Sequence, residues 1–320
     1  MHKLIKSVAS MLLGTACFVS PIYAQTFPSA QVKLVVPVPP GGGTDILARL
    51  YARKLSDAWK ISVIVENRPG ADTIIASEVV AKAKPDGYTL LVIVPSFVIN
   101  PVLRKTMPYD VEKSFAPVAM LATSPFVIVA GNQVPARNIN ELIALAKSKP
   151  DSLTLATSEQ STRLAAVLFK NMAGVNMLDV PYKGSTPLFA DLAGNQIQAG
   201  FSSLASSVQP HKQGLFRVLG VSTRDRSPLL PDVQAIAETV PGYDIAVWYG
   251  VVAPAGTPPD IVSFVQKAIA KVSSQPDVRD NLRDAALAPV TLTPEEFKAF
   301  LTSETKRYSD TASGAGIKPE

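Results

Sequence analysis

A stretch rich in proline and glycine near the start of the chain has the residue types of an anion-binding loop. It covers residues 35–45, with the sequence VVPVPPGGGTD. Its apolar start predicts the end of a strand, and a helix is expected to open at Thr44 and Asp45. Free N–H groups at a helix N-terminus attract anions, so this junction is a candidate anion site. The same residues fit a plain turn in which Asp45 caps the helix, and the sequence alone leaves both interpretations open.

Three further segments rich in hydrogen-bond donors follow expected strands in the middle of the chain. They are Lys183-Gly184-Ser185-Thr186 after residues 178–180, Thr157–Arg163 with Ser158, Ser161 and Thr162 after residues 153–156, and Ser202-Ser203 after residues 197–201. Open α/β sheets bind ligands beyond the carboxyl ends of their strands, so these loops are candidate binding segments. Each one alone would be an ordinary helix cap, and it is their number that favours binding.

Motifs for nucleotide binding, catalysis and metal binding are missing from the sequence. No Gly-Lys-Ser/Thr follows the glycines, and Ile46 stands where a dinucleotide fingerprint needs its third glycine. Apart from His2, the only histidine is His211, which lies in a polar stretch. There is no Gly-x-Ser-x-Gly elbow and no His-Glu-x-x-His. We therefore expect no catalysis, no cofactor and no metal; an enzyme on this fold would have to use Asp45 or Glu159.

The N-terminal residues are typical of a secretory signal peptide. Lys3 and Lys6 precede an uncharged run over residues 7–20, and Ala24 offers a cleavage site. Residues 1–24 are therefore expected to be removed in the periplasm. Cys17 as a lipid-attachment site is the alternative, although Gly14 stands where that motif prefers an aliphatic residue.

Removal of this segment takes away two lysines and no acids, so the formal net charge falls from +5 to +3. The remaining basic residues are scattered along the chain and do not form the basic patch that is typical of a nucleic-acid-binding surface. The segment also contains the only cysteine, so the mature chain of about 295 residues has no disulfide. Its stability must therefore come from its hydrophobic core. That length favours two lobes over one.

Short β-branched runs alternate with amphipathic helical patterns along nearly the whole chain. The expected strands include residues 32–36, 63–65, 90–94, 127–129, 153–156, 197–201, 218–221 and 247–252. Continuous apolar strands between amphipathic helices predict an α/β fold with mostly parallel sheets flanked by helices. Thr186-Pro187 is expected to start one helix, and Thr293 with Glu296 has the spacing of a capping box.

No flexible linker separates the expected lobes, so strands themselves are expected to cross between them. The crossings are predicted near residues 127–130 and 218–223. One lobe would then comprise residues 25–125 together with 222–320, and the other would comprise residues 126–221.

Six segments of the chain resemble, in order, the Bug-type solute-binding receptors of tripartite tricarboxylate transporters. They are residues 37–45 (PVPPGGGTD), 65–71 (VENRPGA), 84–90 (KPDGYTL), 180–185 (VPYKGS), 230–233 (LPDV) and 248–258 (WYGVVAPAGTP). The resemblance implies a two-lobed periplasmic-binding-protein (type II) fold, and delivery of a carboxylate ligand to a membrane permease. It places ligand contacts at Gly42, Gly43, Thr44, Asp45 and Ser96, and at Lys183, Gly184, Ser185, Ser202 and Ser203.

The chain departs from the family pattern at three places near these contacts. Residues 72–75 (DTII) replace a glycine-rich run, the segment 157–162 is compact and ends next to Arg163, and no acid lies near Ser202. An added arginine and a missing acid favour a ligand with a second carboxylate. Phe97 is a candidate for stacking on a planar ligand.

We therefore expect a monomeric receptor for a small carboxylate. A dicarboxylate is the first choice of ligand, and an aromatic carboxylate is a further option. An amino-acid or amide receptor and a ligand sensor for a signalling partner are the alternatives.

Overall fold

The computed structural model describes residues 27–41, 43–314, 316, 317 and 319. The expected signal peptide with Cys17, and Gly42 of the expected anion loop, lie outside the described residues. None of the described helices combines the length and the apolar character that a membrane span requires.

The elements alternate between strands and helices, as the sequence pattern predicts. The strands are β1 Val32–Val36, β2 Val63–Asn67, β3 Thr89–Ile93, β4 Phe115–Ala130, β5 Thr154–Thr157, β6 Leu178–Pro181, β7 Ala199–Ser203, β8 Arg217–Val221, β9 Ala246–Pro254 and β10 Ala288–Pro289. The helices are α1 Gly43–Trp59, α2 Ile74–Ala81, α3 Ser96–Leu103, α4 Ile139–Ser148, α5 Gln160–Ala173, α6 Ser185–Ala193, α7 Leu204–Lys212, α8 Pro259–Ser273, α9 Pro276–Asp284 and α10 Pro294–Gly314. Short 3-10 turns lie at Ala71–Thr73 and Ile236–Glu238.

The long strand β4 belongs to both halves of the sheet. Along the sheet the order is β2-β1-β3-β9-β4-β7-β5-β6, and β8 and β10 also pair with β4. Residues 115–125 of β4 pair with β9, whereas residues 126–130 pair with β7 and β8. The two-lobed α/β fold is confirmed, with β4 running from one lobe into the other.

The sheet is mixed in direction. β1 is parallel to β2 and β3, and β5 is parallel to β6 and β7. The pairs that involve β4 and β9 are antiparallel. The parallel strands belong to successive strand-helix units, whereas β4 and β9 run against that direction.

Ser222 joins the two chain passages between the lobes. Its backbone N–H donates to the Phe126 carbonyl at 2.9 Å, and its hydroxyl accepts from the Phe126 N–H at 2.8 Å. The same hydroxyl donates to the Ile245 carbonyl at 2.5 Å. Because Ser222 is fully buried, these bonds hold β4 and the start of the return passage side by side.

Two helix starts show where local sequence was sufficient and where it was not. The capping box is confirmed: the Thr293 N–H donates to Glu296 Oε2 at 2.8 Å, and the Glu296 N–H donates to Thr293 Oγ1 at 3.2 Å. The expected start at Thr186-Pro187 is wrong, because α6 begins at Ser185 after Gly184. The Gly184 N–H donates to the Ser158 carbonyl at 3.0 Å, and this contact with another loop sets the start.

Candidate ligand-binding site

Six helices begin at the carboxyl ends of the parallel strands. In one lobe β1, β2 and β3 lead into α1, α2 and α3, and in the other β5, β6 and β7 lead into α5, α6 and α7. Parallel pairing places the helix starts of each lobe along one edge of its sheet. Such an edge collects backbone N–H groups and the positive ends of helix dipoles.

Contacts between the lobes bring the two edges near each other, and we take the space between them as the candidate cleft. Helix α3 contacts α5, and Tyr249 of β9 lies near both sides. The Tyr249 hydroxyl oxygen is 3.8 Å from the position that a Cβ on Gly43 would occupy. Burial raises the pKa of Tyr249, and the charge of Glu159 raises it further. We call residues 43–45, 70–73 and Ser96 the first wall, and residues 158–161, 183–185 and 202–206 the second wall.

Asp45 stabilises the first wall from within. Its carboxylate accepts hydrogen bonds from the Gly41 N–H at 2.9 Å, from Arg49 Nε at 2.9 Å and from Asn67 Nδ2 at 2.8 Å. Burial on its own would raise the pKa of Asp45, but these three bonds outweigh it and lower that pKa. The side chain is buried, so the capping interpretation holds for Asp45 and a direct ligand contact does not. Thr44, the next residue toward the helix start, is also buried.

The backbone at residues 70–73 has an unusual left-handed conformation. Gly70, Ala71, Asp72 and Thr73 have φ angles of 132°, 45°, 51° and 79°. Non-glycine residues in this region cost about 1–3 kcal/mol each, so the surroundings must hold them. The resemblance implies a glycine-rich run after Ala71, and this chain adopts positive φ angles there with Asp72 and Thr73.

Two side chains hold this segment. Asn100 Nδ2 donates to the Asp72 carbonyl at 2.6 Å, and Arg104 Nη2 pairs with the Asp72 carboxylate at 3.2 Å. The Thr73 hydroxyl is buried and has no hydrogen-bond partner among the described residues. A buried hydroxyl without a partner is uncommon and indicates a place for water or a ligand atom.

Helix α3 contributes Ser96 to the first wall but not Phe97. Ser96 is buried at the start of the helix. The Phe97 ring stacks on Tyr109 at 5.6 Å between centroids and packs edge-on against Phe115 at 5.0 Å. Since the ring is 1% exposed, the expectation that Phe97 stacks on a ligand is wrong: burial in the core stabilises an aromatic ring more than exposure in a cleft.

In the second wall, Thr162 shapes the start of α5. Its hydroxyl accepts from the N–H groups of Ser158 and Glu159 at 3.0 Å each, and donates to the Glu159 carbonyl at 2.8 Å. These bonds use its full hydrogen-bonding capacity, so the predicted ligand contact by Thr162 is wrong. The neighbouring Ser161 hydroxyl and the Gln160 side-chain oxygen have no partner in the described part of the chain. Ser158 is buried beside them.

Four serines form a connected cluster in the second wall. Ser202 Oγ lies 2.9 Å from Ser185 Oγ and 3.0 Å from Ser206 Oγ, and Ser203 Oγ lies 2.8 Å from Ser206 Oγ. Ser203 also caps α7. Ser202 is fully buried while Ser185 is partly exposed, so Ser185 is the member that a ligand can reach and the others orient it. Sequence reasoning missed Ser206, although its spacing from Ser202 and from the cap residue Ser203 is a usable signal.

The two cations expected in the second wall, Arg163 and Lys183, are both exposed. Neither forms an ion pair with another described residue. Gly184 lies between Lys183 and Ser185 with a φ angle of 101°, which glycine adopts without strain.

Glu159 is the acidic residue of the second wall; it lies in a candidate segment of the sequence, but it was named there only as an acid that an enzyme would use. Its side chain is exposed to solvent. Desolvation by the surrounding protein raises the pKa of Glu159, the nearby Ser161 hydroxyl opposes this rise, and the charge of Asp72 adds to it. Tyr249 was missed as well, although it lies in one of the family-like segments.

Hydroxyls and backbone N–H groups dominate both walls, an arrangement that suits binding of an anion. No group of three or more His, Cys, Asp or Glu side chains within the described ranges could hold a metal ion. Two cavities lie away from the walls, one of about 640 Å³ lined by residues 107–112 and one of about 610 Å³ beside residues 123–125 and 223–229. Neither is lined by residues of the two walls.

Comparisons with known proteins identify the family of this chain. Residues 47–315 match the model of the tripartite tricarboxylate transporter family receptor. Protein BugT of Bordetella pertussis is 31% identical over 317 residues, which cover 98% of this chain and 97% of BugT. A solved R. palustris structure with adipate has a TM-score of 0.87 and 35% identity, covering 92% of this chain and 100% of the other.

MatC from Rhodopseudomonas palustris, solved with bound malate, has a TM-score of 0.81 and 28% identity, covering 89% of this chain and 99% of MatC. The family match spans most of the chain, and the resemblance drawn from its motifs is confirmed. This chain therefore belongs to the tripartite tricarboxylate transporter receptor family of periplasmic solute-binding receptors.

Proposed function

We propose that this protein captures a small dicarboxylate in the cleft between its lobes and delivers it to the membrane permease of a tripartite transporter. It would act as a monomer and catalyse no reaction. The observation that carries the proposal is the set of six helix starts at the carboxyl ends of the parallel strands, together with buried hydroxyls of Thr73 and Ser161 that have no partner among the described residues. Structural relatives with adipate and malate support a dicarboxylate ligand.

Helix starts on both sides suit a ligand with an anionic group at each end. Each N-terminus carries roughly +0.5 elementary charge, so a carboxylate beside Gly43 and another beside Ser185 would both be stabilised. Arg163 and Lys183 would add attraction over a longer distance, because both are exposed. Such a ligand bridges the lobes and favours their closure, whereas a monocarboxylate binds one wall only.

We propose that closure occurs by bending at the passages between residues 125 and 126 and near Ser222. The lobes would then comprise residues up to 125 with those from 222 onward, and residues 126–221. The change of pairing partner within β4 supports this division. The bonds that Ser222 forms with Phe126 and Ile245 would keep the passages together during the motion.

An amino-acid receptor is the second candidate. Glu159 supports it, because an ionised carboxylate in the second wall would bind an ammonium group. The two candidates therefore differ in what Glu159 contacts.

A thermal-shift screen distinguishes them. Adipate, malate, hexanoate, citrate and glutamate would be tested on the purified protein, because a ligand that binds only the folded state raises its Tm. A dicarboxylate at about 100 times its Kd should add about 2.7 kcal/mol to the free energy of unfolding. Stabilisation by glutamate alone would favour the amino-acid receptor, and stabilisation by none of the five would contradict both.

Export of the protein can be tested separately. Mass spectrometry of the exported chain should give an N-terminus at Gln25, because Ala24 follows the apolar run of a signal peptide. A lipid on Cys17 would show instead that the protein is anchored.

A further inference from the structure

Tyr249 lies on β9 between the two walls, and the binding scheme above gives it no role. Seven tyrosines lie in the described ranges. In six of them the hydroxyl forms a hydrogen bond with another described residue; these are Tyr51, Tyr88, Tyr109, Tyr182, Tyr243 and Tyr308. The Tyr249 hydroxyl has no such partner among the described residues, although the residue is only 4% exposed. Since buried hydroxyls normally have a partner, this one is suited to a group from outside the protein.

The Tyr249 ring extends from the middle of the sheet toward the start of α1. Its backbone pairs with Ala122 in the ladder between β9 and β4, so a rigid strand holds the base of the ring. The preceding residue, Trp248, points to the opposite face, where its Nε1 donates to Glu304 Oε2 at 2.8 Å. The Tyr249 oxygen lies 3.8 Å from the position of a Cβ on Gly43, and it is the nearest described atom outside the adjoining chain. The hydroxyl therefore borders the first residue of α1.

Two kinds of hydrogen-bond donor meet at this point. The first N–H groups of a helix have no acceptor within the helix, and the Asp45 carboxylate accepts its hydrogen bonds elsewhere. Burial raises the pKa of Tyr249, so the phenol keeps its proton in neutral solution. A phenol O–H beside free N–H groups can donate to the same acceptor. The positive end of α1 makes an anion the most favourable acceptor.

We propose that the Tyr249 hydroxyl donates a hydrogen bond to the ligand carboxylate that the start of α1 binds. This inference rests on the proposed function, and it adds a side-chain contact to a site built from backbone N–H groups. No covalent bond changes. Because the donors come from β9 and from α1, they hold the carboxylate from two directions. A ligand without an acceptor oxygen at this end would leave the hydroxyl unpaired in the closed cleft, which costs affinity.

Tyr51 shows what a purely structural tyrosine looks like in this protein. It is 1% exposed, and its hydroxyl lies 2.7 Å from Ser273 Oγ and donates to the Leu121 carbonyl at 3.2 Å. Loss of that hydroxyl breaks bonds within the protein, whereas loss of the Tyr249 hydroxyl breaks none with a described residue. The two tyrosines should therefore respond in opposite ways: Tyr51→Phe lowers stability, and Tyr249→Phe lowers affinity.

The test combines isothermal titration calorimetry with urea denaturation of the purified protein, and the ligands are adipate and malate. Adipate affinity of Tyr249→Phe should fall about ten- to a hundredfold, as expected for loss of a hydrogen bond to a charged group. Malate affinity should fall by the same factor, because the carboxylate in question is common to both ligands. The urea midpoint of the ligand-free variant should stay unchanged. Tyr51→Phe, the matched control, should lower the urea midpoint and leave adipate affinity unchanged.

Gly43→Ala approaches the same contact from the other side. Gly43 does not have a positive φ angle, so alanine suits its backbone, and the added methyl group would lie at an ordinary contact distance of 3.8 Å from the Tyr249 oxygen. The fold should tolerate this methyl group, but it occupies the space that a ligand oxygen needs beside the hydroxyl. Adipate affinity should therefore fall. The double variant should lose less than the product of the two single losses, because both changes act on one contact.

Unchanged adipate affinity in Tyr249→Phe, with a wild type that binds adipate, would overturn this inference alone and leave the proposed function standing. A loss for malate without a loss for adipate would also overturn it, because the contact would then lie where the ligands differ. Losses that multiply fully in the double variant would separate Tyr249 from the start of α1. A fall in affinity with an equal fall in stability would assign Tyr249 to the core. If the wild type binds neither acid, the proposed function fails and this inference fails with it.

Discussion

The two walls of the cleft use their polar residues in different ways. In the first wall, side chains are engaged in shaping the backbone: Asp45 holds the loop at Gly41, and Asn100 holds the left-handed segment at Asp72. In the second wall, hydroxyls bond to one another and leave Ser185 and Ser161 available. The first wall therefore presents backbone N–H groups in a rigid arrangement, and the second wall presents side chains.

This difference separates affinity from selectivity. Backbone N–H groups accept any carboxylate of suitable shape, so the first wall would bind the part that all ligands of the family share. Side chains that donate or accept according to their state distinguish one ligand from another. Changes in the first wall should therefore alter stability more than ligand preference, and changes in the second wall should do the reverse.

The largest effect is expected for Phe97→Ala, beneath the first wall. Loss of the ring leaves a cavity next to Tyr109 and Phe115 and should lower the free energy of unfolding by about 3–5 kcal/mol. Urea denaturation measures this, and calorimetry should show adipate affinity within about threefold of the wild type. Phe97→Leu should lose less stability. A loss of adipate affinity without a loss of stability would indicate that Phe97 contacts the ligand after all.

A smaller loss is expected for Asp45→Ala. The change leaves the Gly41 N–H and the Asn67 amide without their acceptor and should lower the free energy of unfolding by about 2–3 kcal/mol. Asp45→Asn, the matched variant, keeps the shape and should lose about half as much.

The effect of Asp45 depends on pH. The pKa of this carboxyl is lowered in the folded protein, so the ionised group stabilises the fold above the pKa it has when unfolded. That stabilisation is lost as pH falls through the lowered folded-state pKa. The stability gap between wild type and Asp45→Asn should therefore close on acidification, and a gap that widens would contradict this account.

In the second wall, Ser202→Ala should act mainly on binding. Ser202 is buried and bonds to both Ser185 and Ser206, so its loss frees Ser185 to rotate. Adipate affinity should fall about three- to tenfold, with a stability loss of about 0.5–1.5 kcal/mol. Ser148→Ala, at the exposed end of α4, is the control and should change neither. If Ser202→Ala lost much stability but kept its affinity for adipate, the two walls would not differ in the way described above.

The smallest effect is expected for Asp72→Gly. Glycine adopts the left-handed conformation of Asp72 without strain, but it also makes the unfolded chain more flexible. The free energy of unfolding should change by about 1 kcal/mol or less, toward higher stability. Asp72→Ala, which keeps the strain, should be about 1 kcal/mol less stable than Asp72→Gly in chemical denaturation. Equal stabilities of Asp72→Gly and Asp72→Ala would show that the backbone at residue 72 leaves its left-handed conformation in the alanine variant.

Local sequence was sufficient for most strands and helix starts. β1 has the predicted bounds, and the capping box of Thr293 and Glu296 forms as expected, because these features depend on neighbouring residues. The family motifs, and the positions of helix N-termini whose free N–H groups suit an anion, can also be predicted from the sequence. The direction of β4 and β9 does not, since pairing depends on the path between the lobes.

The tertiary structure decided which side chains are engaged within the protein. Whether Asp45 turns inward depends on Asn67, 22 residues away, and whether Phe97 is buried depends on Tyr109 and Phe115. A side chain's type and spacing reveal which bonds it is able to form, but its actual partners are determined by contacts between distant segments, and only folding brings those together.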